Sequence, residues 1–180
     1  MTRLTTRSTT WLALALLVPL GALVLAGCER AERPDRDDVG LGEMHTVQVW
    51  FSVGEEPEPV YRRVGGAPLD GALRALVLGP TPEERAEGMS SWFSPETRGV
   101  IRRVQAEDGQ VVVDFRNLPE LIPGASSAAG SEHLLASLNR TVFQFDQVES
   151  VEYRLDGSCD AFWEWLQRSC QVVTRDDVDL

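Results

Sequence analysis

The sequence predicts an α+β domain in two layers, a mixed sheet built from hairpins with two main helices packed on it. Three observations carry this prediction. Val47, Val49, Phe51 and Val53 alternate with Thr46, Gln48, Trp50 and Ser52, the period of a strand with one buried face. Two stretches carry apolar residues at helical spacing instead: Leu69, Leu73, Leu76 and Val77, then Leu134, Leu138, Val142 and Phe145. Between them, two β-rich runs flank Asp108-Gly109, a strong hairpin signal. The order is β-β-α-β-β-α-β, for which helices segregated over a sheet are the natural packing. A chain of 180 residues, 43% hydrophobic and 25% charged, has room for one core plus extensions.

The chain opens with an address. Arg3 and Arg7 precede an apolar run from Trp11 to Leu25 that contains Pro19 and ends in Leu25-Ala26-Gly27-Cys28. This is the form of a signal peptide over residues 1–27, since the run is shorter than the roughly 20 residues a membrane span requires. Its last four residues look like a bacterial lipobox, which implies that the Cys28 thiol is diacylated and anchors the protein, the alternative being ordinary secretory cleavage. Every one of the 17 basic residues is arginine, and the formal charge is −11. Removal of Arg3 and Arg7 leaves 15 arginines against 28 acids, a charge of −13. Such a body excludes nucleic acid as a partner, because phosphate binding needs a basic footprint. Residues 28–45 are charged, contain Pro34 and glycines and few apolar side chains, and read as a lipidated flexible tether with a reach of about 20 to 25 Å.

The folded domain is expected over residues 46–157. After the first strand, Gly54 to Pro59 reads as a turn and Val60 to Val64 as the second strand of a hairpin. Gly65-Gly66 breaks it, Pro68 opens a helix, and Gly79-Pro80 stops that helix. Thr81 then caps a short helical turn in which Glu83 and Glu84 favour the positive end of the dipole, and Gly88 closes it. A two-residue loop at Asp108-Gly109 sets Val104 opposite Val113 and Arg103 opposite Asp114, predicting an exposed Arg103–Asp114 ion pair. Leu118 to Ala129 reads as a loop. A helix follows from about Ser131 to Phe145, with His133, Ser137, Arg140 and Gln144 as its polar stripe. Val151, Tyr153 and Leu155 form the closing strand, stopped by Asp156-Gly157.

The leucine-rich helix ending in Gly79-Pro80-Thr81, the glutamates just after, Gly88, and the strand ending Val113-Asp114 together resemble the GerMN domain of sporulation and germination lipoproteins. The resemblance implies a non-enzymatic envelope module with a fold similar to the ring-building domains of sporulation secretion machinery. It also implies an extracytoplasmic setting and a partner in the cell envelope, with self-association open.

The inventory of reactive residues agrees. Ser126 or Ser127, His133 and Asp114 could be drawn as a triad, but no Gly-x-Ser-x-Gly elbow frames either serine and Asp114 already has an arginine opposite. Neither zinc-ligand spacing nor a phosphate-binding glycine loop is present, and no cofactor is expected. Two other functions stay open: a cell-wall hydrolase or its regulatory subunit, and a small-ligand receptor of a transporter, which would need a deep apolar pocket. With Cys28 assigned to lipid, Cys159 and Cys170 remain as a pair in an oxidising compartment, predicting a disulfide that closes an extension over residues 158–180 with an acidic tail. The aromatic cluster between them reads either as a small helix packed on the sheet or as a patch for a partner. With Phe162, Trp165 and Leu166 turned inward, Trp163 becomes the candidate partner contact.

Overall fold

The computed structural model describes residues 43–178. The signal segment, Cys28 and nearly all of the tether lie outside the described residues. The tether's last two expected residues, Met44 and His45, already belong to the first strand.

Strand β1 (Met44–Val53) and strand β2 (Glu56–Gly65) form an antiparallel hairpin that turns at Gly54-Glu55, with Val53 opposite Glu56. The second strand therefore begins four residues before the expected Val60. Pro57 and Pro59 are accommodated because β2 is an edge strand, where their missing N–H groups face away from the ladder. Their partners Ser52 and Trp50 point their N–H groups away from β2 as well; that of Trp50 goes to Thr141 Oγ1 at 3.3 Å. Val47, Val49 and Phe51 are buried as expected, whereas Val53, at the lip of the turn, is exposed.

Helix α1 (Pro68–Leu76) starts with proline and buries Ala72, Leu73 and Leu76, with Val77 following. Gly79 then turns at φ +72°. Helix α2 (Pro82–Ala86) is held by a reciprocal capping box: Glu84 N–H donates to Thr81 Oγ1 and Thr81 N–H donates to Glu84 Oε2. Strand β3 (Met89–Ser90) pairs with the end of β1 at Ser52↔Ser90, so the first sheet runs β2-β1-β3.

Strands β4 (Ile101–Glu107) and β5 (Gln110–Phe115) meet through Asp108-Gly109, both residues at positive φ. Val104 faces Val113 and Arg103 faces Asp114, but a bulge between Ile101 and Arg103 shifts the register beyond that point. The expected loop at 118–129 contains helix α3 (Leu118–Leu121) and a 3-10 turn at Pro123–Ser126 before helix α4 (Ala128–Phe143). Helix α4 is the crossover that returns strand β6 (Ser150–Leu155) parallel to β5, with Val113 opposite Tyr153. Helix α5 (Cys159–Trp165) and strand β7 (Val173–Thr174) follow, β7 pairing antiparallel to β6. The second sheet is thus β4-β5-β6-β7, so the single mixed sheet expected is two sheets. One hydrophobic cluster joins them: Val49 and Phe51 from the first, Val111, Val113, Phe115 and Tyr153 from the second, and Leu73, Leu76, Leu134, Leu138 and Val142 from the helices. No helix among the described residues is long and apolar enough to cross a membrane.

Candidate functional site

The residues after Leu155 build one wall of a concave surface against α4. Ser158 caps α5 through Ala161 N–H, and Cys159 is bridged to Cys170 with their Cα atoms 5.4 Å apart. The bridge matches the expected pairing. Trp163 does not match: it is fully buried, which overturns its assignment as the exposed partner contact, and Trp165 is the residue left half-buried. The reason lies in the helix geometry. Successive residues are about 100° apart, so Phe162 and Leu166 can bury together with either neighbour. Cys159 projects between Phe162 and Trp163, and the bridge draws the returning chain over that side, where Val173 pairs with Val151. Phe162 lies at the centre of the aromatic cluster, 5.4 Å from Tyr153, 6.0 Å from Phe115 and edge-to-face with Trp163 at 5.5 Å.

The expected acidic tail is structured where described. Arg175, in a 3-10 turn at Arg175–Asp177, donates to the carbonyls of Phe143 (2.9 Å), Phe145 (2.7 Å) and Val148 (2.9 Å), with its guanidinium over the Phe143 ring. It thereby satisfies carbonyls at and beyond the C-terminus of α4, where a cation is favoured. Sequence reasoning missed this residue; its signal was a lone arginine among the terminal acids.

A groove of about 540 Å³ results between α4 and the returning chain. Glu132, Asn139 and Arg140 stand on one wall, Arg168, Val172 and Asp177 on the other, and Trp163 lies beneath. Val172 is 51% exposed on its rim. The charges are of both signs. The Thr174 hydroxyl and backbone N–H hold the Asp177 carboxyl below the ordinary carboxylate range. Asn139 Oδ1 accepts from the Tyr153 hydroxyl at 2.8 Å, and burial pushes that phenol well above its ordinary value, so it stays a neutral donor.

The residues from which a triad could be drawn are engaged separately. Ser126 Oγ donates to the Pro123 carbonyl, and Ser127 caps α4 through Gly130 N–H. Asp114 accepts from Gly157 N–H at 2.8 Å and pairs with Arg102 at 3.3 Å. The expected Arg103–Asp114 pair is thus replaced: the bulge turns Arg102 to the Asp114 side, although Arg103 remains opposite in register. His133 lines a different cleft, with Trp92 and Ser137. Among the described residues no hydrogen bond joins any two of these four, and no group of three His, Cys, Asp or Glu side chains could hold a metal ion.

Comparison with known proteins places the fold. The Germane family model, described as sporulation and spore germination, matches residues 40–159. No curated protein matches the chain. Among solved structures it is similar to the tandem GerMN domains of the sporulation protein GerM from Bacillus subtilis, with a TM-score of 0.52 and 21% identity over 80% of this chain and 48% of that one. The chain thus spans about half the length of those tandem domains. Weaker likenesses, each with a TM-score of 0.40, are to the first GerMN domain of the same protein (15% identity, 63% of this chain and 84% of that chain) and to a putative lipoprotein from Clostridium perfringens (12%, 74% and 89%). Because the family match covers about two thirds of the sequence and falls on the helix, Gly-Pro-Thr turn and hairpins described above, this chain belongs to the sporulation and spore germination family of GerMN domains.

Proposed function

We propose that the protein is an extracytoplasmic lipoprotein, anchored through acyl chains on Cys28, whose GerMN domain acts as a non-enzymatic module binding another protein of the cell envelope. The carrying observation is Leu25-Ala26-Gly27-Cys28 at the end of a short apolar run, twelve residues before the family match begins at residue 40. Diacylation supplies the two chains that stable anchoring needs. The domain side supports binding over catalysis, because Ser126, Ser127, Asp114 and Arg175 serve caps, turns and tail docking. The groove between α4 and the disulfide-closed segment offers an apolar rim residue, Val172, among charges of both signs, the mixture found at protein interfaces.

Two measurements test this. Cys28→Ala should leave the precursor unlipidated and residues 1–27 uncleaved, and normal fatty-acid labelling of that variant would end the anchoring reading. A photoreactive side chain at position 172 should crosslink to one envelope protein in native membranes. If position 172 gives no adduct while a scan elsewhere on the domain does, the groove is not the contact.

A further inference from the structure

A second cleft, of about 310 Å³, lies where the end of β1, β3 and α4 meet, and is lined by Ser52, Ser90, Ser91, Trp92, His133 and Ser137. Its platform is Trp92, 36% exposed and fixed in place. The indole N–H donates to the Gly130 carbonyl at 3.1 Å. The six-membered ring abuts Gly124 so closely that a Cβ there would sit 2.8 Å from Cζ3 and 2.9 Å from Cη2. Around this ring stand hydroxyls from three elements. His133 and Ser137 are one turn apart on α4 and share a face. Ser137 is nine-tenths buried, and among the described residues neither its hydroxyl nor the His133 ring has a hydrogen bond to protein. Both side chains line the cleft with donor and acceptor capacity unspent, which makes them available to a ligand.

The chemistry of the lining narrows the ligand. Serine hydroxyls each donate and accept, and histidine can do both, so the matching molecule carries groups of the same dual kind. No acidic or arginine side chain lines the cleft, which favours a neutral ligand. A nucleobase would also stack on Trp92, but it arrives with phosphates that a chain of charge −11 repels. A pyranose ring satisfies each requirement: its C–H face lies on an aromatic ring while its equatorial hydroxyls reach outward to the rim. The volume is at the lower end of the roughly 300 to 1,000 Å³ of small-molecule sites, enough for part of an oligosaccharide. We propose that this cleft binds a neutral oligosaccharide, one sugar ring stacking on Trp92 with its hydroxyls bonded to Ser137 and His133. The site shares no lining residue with the α4 groove, so it stands or falls independently of the protein partner.

The test is calorimetric and NMR titration of the full-length chain, in a detergent without a sugar headgroup, against tetra-N-acetylchitotetraose, cellotetraose and maltotetraose. At least one should bind and shift the Trp92 indole resonance, which Trp92→Phe identifies. Trp92→Ala should weaken that binding at least about tenfold, Trp92→Phe less, and Ser137→Ala or His133→Ala about two- to tenfold each. Gly124→Ala, which pushes on the platform without removing it, should also weaken it. Thermal melts report folding; if Trp92→Ala is unfolded, the Ser137 and His133 variants carry the test. Absence of binding by all three sugars at about 10 mM, well above a weak 1 mM Kd, would overturn the proposal. Binding that survives Trp92→Ala with Ser137→Ala would do so too, as would a peptide, and no sugar, occupying the cleft.

Discussion

Gly79→Ala separates two reasons for the glycine in the Gly-Pro-Thr turn. Gly79 lies at φ +72°, and an alanine Cβ there would fall 2.2 Å from the Phe93 carbonyl oxygen and 2.7 Å from its carbon. Gly66 has nearly the same backbone, φ +77°, but a Cβ there meets nothing within 4 Å. Gly66→Ala therefore reports only the cost of left-handed alanine, about 1 kcal/mol. Gly79→Ala adds an overlap with backbone, which no rotamer change relieves; overpacking of that kind adds about 1 to 3 kcal/mol or more. The expected losses are about 1 kcal/mol for Gly66→Ala and about 2 to 4 kcal/mol for Gly79→Ala. At about 3 to 4 °C per kcal/mol for a domain of this size, the melting temperatures should fall by about 3 to 4 °C and about 6 to 16 °C. Urea titration and thermal melts of both variants provide the measurement. Equal losses would refute the reasoning, because the close approach of the turn to residues 93 and 94 would then contribute nothing.

Further outcomes follow from the same geometry. A double-mutant cycle should give about 0.2 to 1 kcal/mol between Arg102 and Asp114 and nothing measurable between Arg103 and Asp114. Replacing Cys159 and Cys170 by serine opens a loop with a sequence separation of 11 and should cost about 2 to 3 kcal/mol in chemical denaturation. Arg175→Ala should cost about 1.5 to 3 kcal/mol and Arg175→Lys should recover only part, since a single ammonium cannot reproduce the fork across three carbonyls; deuterium exchange should rise at the end of α4 and in β7. The Arg62 hydrogen bond to Glu84, at 2.6 Å, holds that carboxyl below its ordinary range. A lowered folded value means stability that is full above the ordinary glutamate value of about 4.3 and lost as pH falls through the lowered one. Glu84→Gln should thus cost about 0.5 to 1 kcal/mol at neutral pH, and the difference from wild type should vanish in acid.

What was legible in the sequence was local. The alternation of Val47, Val49 and Phe51, the cap at Thr81 and the turn at Asp108-Gly109 depend on residues near in sequence, and each lies where the spacing placed it. The cysteine pair was legible by elimination. What was not legible depended on contacts between distant residues. A bulge at Arg102 exchanges one arginine for its neighbour across from Asp114, and nothing in the run Ile101-Arg102-Arg103 marks it. Trp163 and Trp165 flank Phe162 and Leu166 symmetrically on a helical wheel; only the path of the chain back from Cys170 breaks that symmetry. The division into two sheets depended on which strands pair, and β5 finds β6 only after α4 has crossed over.

The same helix explains why the two sheets stay separate. The edge of β1 turned away from β2 presents the peptide groups of Gln48, Trp50 and Ser52, an invitation for another strand. Ser52 is taken by Ser90 of β3. The Gln144 side-chain amide accepts from Gln48 N–H at 2.7 Å and donates to its carbonyl at 2.8 Å, standing in for a paired residue, and Thr141 Oγ1 takes the Trp50 N–H. Arg140 lies over the Trp50 ring at 5.1 Å. The polar stripe of α4 is therefore divided by role along its length. At its C-terminal end Gln144 closes the strand edge, while Arg140 lies over Trp50 and faces the groove. Its N-terminal half, His133 and Ser137, lies beyond the peptide groups that need closing, and both side chains are left without protein partners in the cleft beside Trp92. Four residues of one helical stripe look alike in sequence, but Gln144 closes a strand edge, Arg140 stacks on Trp50 at the groove, and His133 and Ser137 line the cleft.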